Sequence, residues 1–256
     1  LHNEVLRAAD RGARVRLLLD DMNVHGSHSV LAALDSHPLI EVRLFNPTRA
    51  REGTLARGVE LLLRFVSLNR RMHNKIWLAD GRIAVVGGRN IGDEYFDAAA
   101  DVNFMDTDVA MVGSAARQAE EVFDAYWNSA SAIPLAALVD PAPDALDRVR
   151  ASLDASLGSD RAGPYLERLR ASERVSELLQ GRGSVHWTEN AMLVSDPPQK
   201  AEGAPQRPDW MTPVLVARVS TARRELKLIS PYFVPGHAGL EWLSGMRRRG
   251  VEVGIL

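Results

Sequence analysis

Alternating apolar and polar blocks predict helices and strands in turn along the first part of the chain. Apolar residues at helical spacing within 4–11 predict a helix that ends at Gly12. The apolar run from Val15 to Leu19 predicts a strand, and a helix near 30–34 followed by a strand over 42–45 repeats the unit. Helices that alternate with strands are typical of a layered α/β fold with a partly parallel sheet.

The same kinds of pattern continue to the end of the chain. They predict a short helix to Leu68, a hairpin over 72–86, a strand over 107–112, a helix over 115–127, helices over 144–157 and 165–179, a strand over 192–194, a helix over 214–226, a strand over 228–234 and a helix over 240–249. Within the helix over 115–127, the aromatic stripe Phe123, Tyr126 and Trp127 is interpreted as core packing.

The two ends of the chain resemble each other. The matched pairs are Arg11-Gly12 with Arg249-Gly250, Val15 with Val253, and Leu17 with Ile255. This similarity predicts two copies of one helix, glycine and strand unit. We therefore expect three regions: a first half over 1–133 without its initial strand, a helical connecting segment over 134–207, and the start of a truncated second half over 208–256.

Composition excludes several classes of protein. With 256 residues, 46% of them hydrophobic and 25% charged, the chain can bury a full core and is neither disordered nor a coiled coil. The absence of cysteine excludes disulfides, thiolate metal sites and a cysteine nucleophile. A net charge of -2 gives no general attraction to nucleic acid. No apolar run approaches the ~20 residues of a membrane span, so any membrane contact would be peripheral.

A predicted hairpin carries the most informative side chains. His73, Lys75 and Trp77 would share one face of a strand, because side chains alternate with a period of two. The dipeptide Asp80-Gly81 predicts a two-residue turn, which would set His73 opposite Gly88 and leave space for a ligand beside the imidazole.

Asn90 would lie further along that face, so one wall would present a histidine, a compact cation and an amide. These groups suit a phosphate oxyanion: Lys75 and Asn90 would bind the oxygens while His73 attacks or protonates. Lysine is a rare choice in this chain, where only three of the 31 basic residues are lysines.

The spacing of these residues resembles a known motif. The pattern His73-x-Lys75-x4-Asp80-x6-Gly87-Gly88-x-Asn90 resembles the HKD motif of the phospholipase D superfamily. The longer strings 69–75 and 87–96 are most similar to its bacterial cardiolipin synthase branch. Further blocks similar to that branch lie at 17–21, 43–47, 193–198 and 229–235.

The resemblance implies a layered α/β/α sandwich with a mixed sheet and a pseudo-two-fold repeat. It also implies a mechanism without metal or cofactor that uses two HKD motifs, one from each half. One histidine would attack the phosphodiester phosphorus to give a phosphohistidine, and the other would protonate the leaving alcohol. A second alcohol or water would resolve the intermediate. In a cardiolipin synthase, the phosphatidyl group would pass to a glycerol hydroxyl of phosphatidylglycerol.

The resemblance assigns roles to the residues of the motif. His73 would be one of the two histidines, Lys75 the phosphate-binding lysine and Asn90 a supporting amide. Asp80 completes the motif, and its place at the turn favours a structural role. The adjacent glycines Gly87 and Gly88 would border the substrate.

A nucleophilic histidine also needs an acceptor on its other ring nitrogen, which fixes the tautomer. Asp106 or Asp108, on the next predicted strand, could supply that carboxylate. A carboxylate at about this distance has that role in the superfamily, and Asp106 is the favoured candidate.

Other candidate residues are weaker. His25 and His28 could ligate a metal, but no further ligands at suitable spacing accompany them. Asp20 and Asp21 end a predicted strand, where exposed acids are common. The run 247–249 of three arginines could touch anionic lipid, although such runs are usually solvated helix faces.

Only one HKD motif lies in the chain, and a second at the same spacing after Gly250 would begin beyond Leu256. We therefore expect a fragment that is inactive alone unless two copies pair their hairpins. Three functions remain open: a phosphatidyltransferase acting on phospholipid, a nuclease or other phosphodiesterase of the superfamily, and a silent lipid-binding module. The first implies a peripheral protein on the cytoplasmic side of the bacterial inner membrane. The balanced charge counts against nucleic acid.

Overall fold

The computed structural model describes residues 1–24, 26–47, 72–96, 98–99, 101–157, 186–230 and 233–256, with isolated positions between 158 and 185. The predicted helices that end near Leu68 and span 165–179 lie outside the described residues. The chain divides into two compact units, one formed by 1–193 with 197–204 and the other by 194–196 with 205–256.

Helices and strands are mixed along the chain, which confirms the predicted α/β class. The helices are α1 (His2–Asp10), α2 (His28–Asp35), α3 (Ser114–Trp127), α4 (Ala145–Leu157), α5 (Met211–Val219) and α6 (Gly236–Arg248). The strands are β1 (Val15–Asp20), β2 (Ile40–Phe45), β3 (Ile76–Ala79), β4 (Ile83–Gly87), β5 (Asp108–Val112), β6 (Ala132–Pro134), β7 (Glu225–Leu228) and β8 (Glu252–Ile255).

A mixed three-stranded sheet organises the first unit. Strand β1 runs parallel to β2, with Val15 opposite Ile40 and Asp20 opposite Phe45, and β6 joins the other edge of β2 antiparallel. The main core packs α1 and α2 onto this sheet through buried aliphatic side chains. They include Val5, Leu6, Ala9, Leu31, Leu34, Ile40, Val42 and Leu44. Along β2 the buried Ile40, Val42 and Leu44 alternate with the exposed Glu41 and the partly buried Arg43, because successive side chains of a strand point to opposite faces.

Helix α3 presents the predicted aromatic stripe, and the structure confirms that it is core. Tyr126 and Trp127 are buried, and the Tyr126 ring centroid lies 5.3 Å from that of Phe45. The Arg43 guanidinium lies 4.3 Å from the centroid of the Trp127 ring. The Arg43 side chain and the Trp127 ring together cover this face of β2.

The hairpin β3–β4 forms as predicted, but its register differs by one residue. The Arg82 N–H donates to Ala79 O (3.0 Å) across the Asp80-Gly81 turn, and both turn residues have a positive φ. The ladder then pairs Ala79 with Ile83 rather than with Arg82. Arg82 is thus an additional residue in the connection, and every predicted pair shifts accordingly.

Strand β5 adds to the free edge of β4 and completes a second, antiparallel sheet. Its inner face packs on α3 through Ala84, Ala116 and Ala119, all fully buried. Small side chains on both surfaces let the helix and the sheet approach closely. The HKD hairpin is therefore backed by α3.

Part of the predicted connecting segment belongs to the first unit. Helix α4 packs Leu146, Val149 and Leu153 against the main core, and Arg150 forms two hydrogen bonds of 2.7 Å with the Asp10 carboxylate. The predicted strand over 192–194 is wrong: the Leu193 N–H donates to Gln118 Oε1 (2.9 Å) rather than to a neighbouring strand.

The second unit begins differently from the prediction. The helix predicted over 214–226 is α5, which ends at Val219. The hydroxyls of Ser220 and Thr221 donate to backbone carbonyls of the last helical turn and compete with its continuation. The buried Leu226 then lies in β7, which pairs parallel to β8.

The two matched ends of the chain have the same local geometry. Gly12 and Gly250 have φ values of +95° and +86°, and each follows a helix. The Gly12 N–H donates to Ala9 O at 2.8 Å, and the equivalent bond from Gly250 to Arg247 O is 2.9 Å. A left-handed glycine after a helix is a common C-terminal cap. This shared geometry supports the predicted repeat.

Replacing Gly250 by alanine will lower the free energy of unfolding by about 1–2 kcal/mol, because a side chain is strained at this φ. Among the described residues nothing lies within 4 Å of the new methyl, so the cost comes from the backbone alone. Gly245→Ala in α6 is the control, where the nearest atom would be 3.7 Å away and helix propensity should add about 0.5–1 kcal/mol. Urea denaturation measures both, and a Gly250→Ala variant at least as stable as the parent chain would contradict the prediction.

Candidate active site

The HKD segment enters beside the carboxyl end of β1. Met72 packs against the cluster of Phe45, Tyr126 and Ala132. Phe45 pairs with Asp20, the last residue of β1, so this packing directs the following residues toward that strand end. The carboxyl edge of parallel strands is the usual place for a ligand in α/β folds.

His73 and Lys75 lie just before β3 rather than within it. The Lys75 ammonium donates to the carbonyl oxygen of His73 (2.9 Å), which folds the lysine back beside the histidine. The Gly87 N–H donates to Lys75 O (3.4 Å) and continues the hairpin pairing to the site. The structure thus brings the histidine and the lysine of the motif together at one end of the hairpin.

The surroundings of His73 favour the neutral form of its imidazole. Partial loss of hydration lowers its pKa even though the side chain reaches solvent, and the positive charge of Lys75 lowers it further. The Asp20 carboxylate opposes both effects without reversing them. A neutral imidazole at pH 7 has an unprotonated ring nitrogen that can attack phosphorus.

The charges of two carboxylates act on Lys75. Burial lowers the pKa of its ammonium group, while the negative charges of Asp106 and then Asp20 raise it. The carboxylates therefore keep the charged form of a half-buried lysine favourable. That form is the one able to bind a phosphate oxygen.

The two glycines of the motif allow β4 to approach the aspartates. A Cβ at Gly88 would lie 2.9 Å from Asp106 Cγ, and one at Gly87 would lie 2.8 Å from Asp108 Cα. Both distances are shorter than any at which two non-bonded carbon atoms normally lie. The space predicted beside Gly88 for a ligand is thus taken by the Asp106 side chain. The contribution of Gly87 and Gly88 to substrate binding stays a prediction.

The other predicted residues occupy different places. The Asn90 side-chain amide donates to the hydroxyl of Tyr95 (2.8 Å), and Asp106 Oδ1 accepts from the Thr107 N–H (2.8 Å). Asp80 lies in the turn with φ +53°, at the end of β3 opposite to Lys75. Its position fits the structural role that the sequence predicts, and the chemical role of each residue stays a prediction.

Comparisons with known proteins identify the family of the chain. The family described as "Cardiolipin synthase, PLD-like domain" matches residues 1–127. Cardiolipin synthase C of Escherichia coli is 40% identical over 258 residues, which cover 100% of this chain and 53% of that protein. The chain belongs to the phospholipase D superfamily. Within it, the chain is cardiolipin synthase-like.

Two other relatives extend the comparison. An uncharacterized protein of Helicobacter pylori is 29% identical over 259 residues, covering 99% of this chain and 50% of that protein. A cardiolipin synthase of Staphylococcus aureus is 31% identical over 130 residues, covering 50% of this chain and 24% of that protein. The chain spans about half the length of the first two relatives.

Asp20 is the site residue that sequence reasoning undervalued in this phospholipase D-like chain. Asp20 is half-buried, and its charge raises the pKa of both His73 and Lys75. It is therefore not one of the exposed acids that are common at strand ends. Its neighbour Asp21 is 2% exposed, and its Oδ1 lies 3.1 Å from His28 Nε2. The available signal was the position of Asp20 at the carboxyl end of a strand that pairs in parallel.

The alternative metal site receives no support from the residues that can be described. Within the described part of the chain, no group of three or more His, Asp or Glu side chains could hold a metal ion. His25 lies outside it. The helices that are described also include none long and apolar enough to cross a membrane.

Charge substitutions around His73 will move its pKa in opposite directions. Lys75→Met will raise it, because a neighbouring positive charge is removed, and Asp20→Asn will lower it, because a stabilising negative charge is removed. Asp108→Asn, which changes a carboxylate that pairs with Arg89, is the control and should change it less. An NMR pH titration of the His73 ring measures all three, and shifts of the same sign in the first two variants would contradict this account of the site.

Proposed function

We propose that the chain supplies one histidine and lysine set to a phosphatidyltransferase of the phospholipase D type that forms cardiolipin from phosphatidylglycerol. The observation that carries the proposal is the pairing of a solvent-accessible, neutral His73 with the Lys75 ammonium 2.9 Å from its carbonyl oxygen. Identity of 40% along the whole chain with a protein named cardiolipin synthase C supports the choice of substrate.

In the first step the unprotonated ring nitrogen of His73 attacks the phosphorus of phosphatidylglycerol. A nitrogen–phosphorus bond forms, the bond from phosphorus to the headgroup glycerol oxygen breaks, and glycerol leaves with a proton from a general acid. Lys75 binds the non-bridging oxygens, whose negative charge grows in the transition state. The products of this step are a phosphatidyl-histidine and free glycerol.

In the second step a primary hydroxyl of another phosphatidylglycerol headgroup attacks the same phosphorus. Its oxygen–phosphorus bond forms, the bond to His73 breaks, and the hydroxyl proton returns to the group that acted as the acid. Cardiolipin is released, and the number of phosphodiester bonds is unchanged. Water in place of the second lipid would give phosphatidic acid, so exclusion of water from the site favours transfer.

The general acid is the histidine of a second HKD motif in this proposal. That motif would come from a further part of the protein or from a second copy of the chain. Because the substrate lies in a bilayer, the protein would act as a peripheral protein at the membrane surface. Its placement on the cytoplasmic side of the bacterial inner membrane is part of the same proposal.

The protein that carries this chain will convert vesicles of phosphatidylglycerol to cardiolipin and glycerol in the presence of EDTA. His73→Ala will lower kcat by at least about a thousandfold, because the nucleophile is lost. Lys75→Ala will lower it by about a hundredfold, as the loss of one oxyanion donor does. Lipid chromatography measures the cardiolipin formed, and an assay of free glycerol measures the second product.

His186→Ala is the matched control, since it removes an exposed histidine outside the HKD segment and should leave the rate unchanged. A full rate in His73→Ala would overturn the proposal. Hydrolysis of single-stranded DNA without any lipid product would overturn it in favour of the nuclease alternative.

A further inference from the structure

Arg89 lies between the two glycines and the amide of the motif and contacts three acceptors. Its Nε lies 2.6 Å from Asp108 Oδ2, and its Nη2 donates to Asp106 O at 3.2 Å. Its Nη1 donates to the Tyr95 carbonyl oxygen. One guanidinium therefore joins β4, the start of β5 and the loop between them.

The setting of Arg89 is that of a structural clamp rather than of a surface charge. The side chain is 29% exposed, its ion-pair partner Asp108 is 23% exposed, and the guanidinium also lies 5.5 Å from the centroid of the Phe96 ring. A planar group with five donors can satisfy acceptors in several directions at once. Partial burial keeps such an ion pair from being screened as an exposed one would be.

The contacts of Arg89 reach the candidate site along two routes. On one side it holds the backbone of Asp106, the residue whose carboxylate lies against Gly88 and stabilises the charge of Lys75. On the other side it holds the backbone of Tyr95, whose hydroxyl accepts from the Asn90 amide.

We propose that Arg89 is a positioning residue of the active site, which sets the place of Asp106 beside Lys75 and of Asn90 at the phosphate. The inference rests on the proposed function for its chemical meaning, but the clamp itself can be tested without turnover. Arg89 has no step in the reaction and contacts no reacting atom in this proposal. It acts through the residues that do.

The three lysines of the chain make the test direct. When the 256-residue chain is labelled with carbon-13 at the lysine Cε atoms, an NMR pH titration follows the signals of Lys75, Lys200 and Lys227. Asp106→Asn will lower the pKa of Lys75, because it removes the first of the charges that raise it. Arg89→Met will lower it by a similar amount if the clamp holds Asp106 in place.

The sign of the shift separates positioning from a direct charge effect. Removal of a nearby positive charge would by itself raise the pKa of a lysine. A fall in Arg89→Met therefore reports the displacement of Asp106. The double variant of Arg89→Met and Asp106→Asn should show no larger fall than either change alone, since both act through one carboxylate.

Arg89→Lys will not restore the Lys75 pKa, because a single ammonium cannot span the three acceptors. In turnover by the protein that carries the chain, both Arg89 variants should lose about a hundredfold in kcat with a smaller change in KM, as misplaced groups do. Arg82→Met is the control: it removes an exposed arginine at the hairpin turn and should leave both readouts unchanged.

A folded Arg89→Met chain with an unaltered Lys75 pKa would overturn the inference, whatever its activity. If Arg89→Met does not fold, Asp108→Asn tests the same clamp, because it weakens the 2.6 Å contact and retains the two carbonyl acceptors. Asp108 is not among the charges that act on Lys75, so a smaller fall of the Lys75 pKa supports the inference, and an unchanged value overturns it. Absence of lipid turnover in the parent protein, with the pKa shifts as expected, would count against the proposed function alone.

Discussion

The close approach of β4 to two aspartates is the constraint on which the site depends. Gly87 and Gly88 leave no side chain between the strand and Asp108 and Asp106, and the carboxylates fill that space. Arg89 then binds the same two residues from the other side, through the Asp108 carboxylate and the Asp106 carbonyl. A larger residue at Gly88 would displace the Asp106 carboxylate and, with it, part of the electrostatic support of Lys75.

The charges at the site favour different protonation states for its two basic groups, His73 and Lys75. Burial lowers the pKa of both His73 and Lys75. Asp106 and Asp20 both raise the pKa of the lysine, while among the described residues Asp20 is the one that raises the pKa of the histidine. The lowered pKa favours a neutral histidine at pH 7, as the proposed nucleophile requires, whereas the lysine, whose ordinary pKa is far higher, stays charged. A nucleophile and an oxyanion partner need these opposite states.

Much of the architecture could be predicted, because it follows from local pattern and turn chemistry. The alternating elements, the aromatic stripe of α3 and the Asp80-Gly81 turn all depend on neighbouring residues. The register of the hairpin could not be predicted, because one additional residue after the turn changes every pair. The residues 83–86 of β4 are all apolar, so no alternation along this strand marks the buried face. The role of Asp20 was missed for another reason: the parallel pairing and the packing of Met72 that bring it to His73 join residues far apart in the chain.

The central claim is that His73 forms the covalent bond to phosphorus, and trapping that bond tests it most directly. The protein that carries this chain would be mixed with phosphatidylglycerol, quenched in alkali within the first turnover and digested for mass spectrometry. The account predicts an acid-labile phosphoryl adduct on the peptide that contains His73, and its absence in His73→Ala. An adduct on another residue, or cardiolipin formation with His73 unmodified throughout the first turnover, would contradict it.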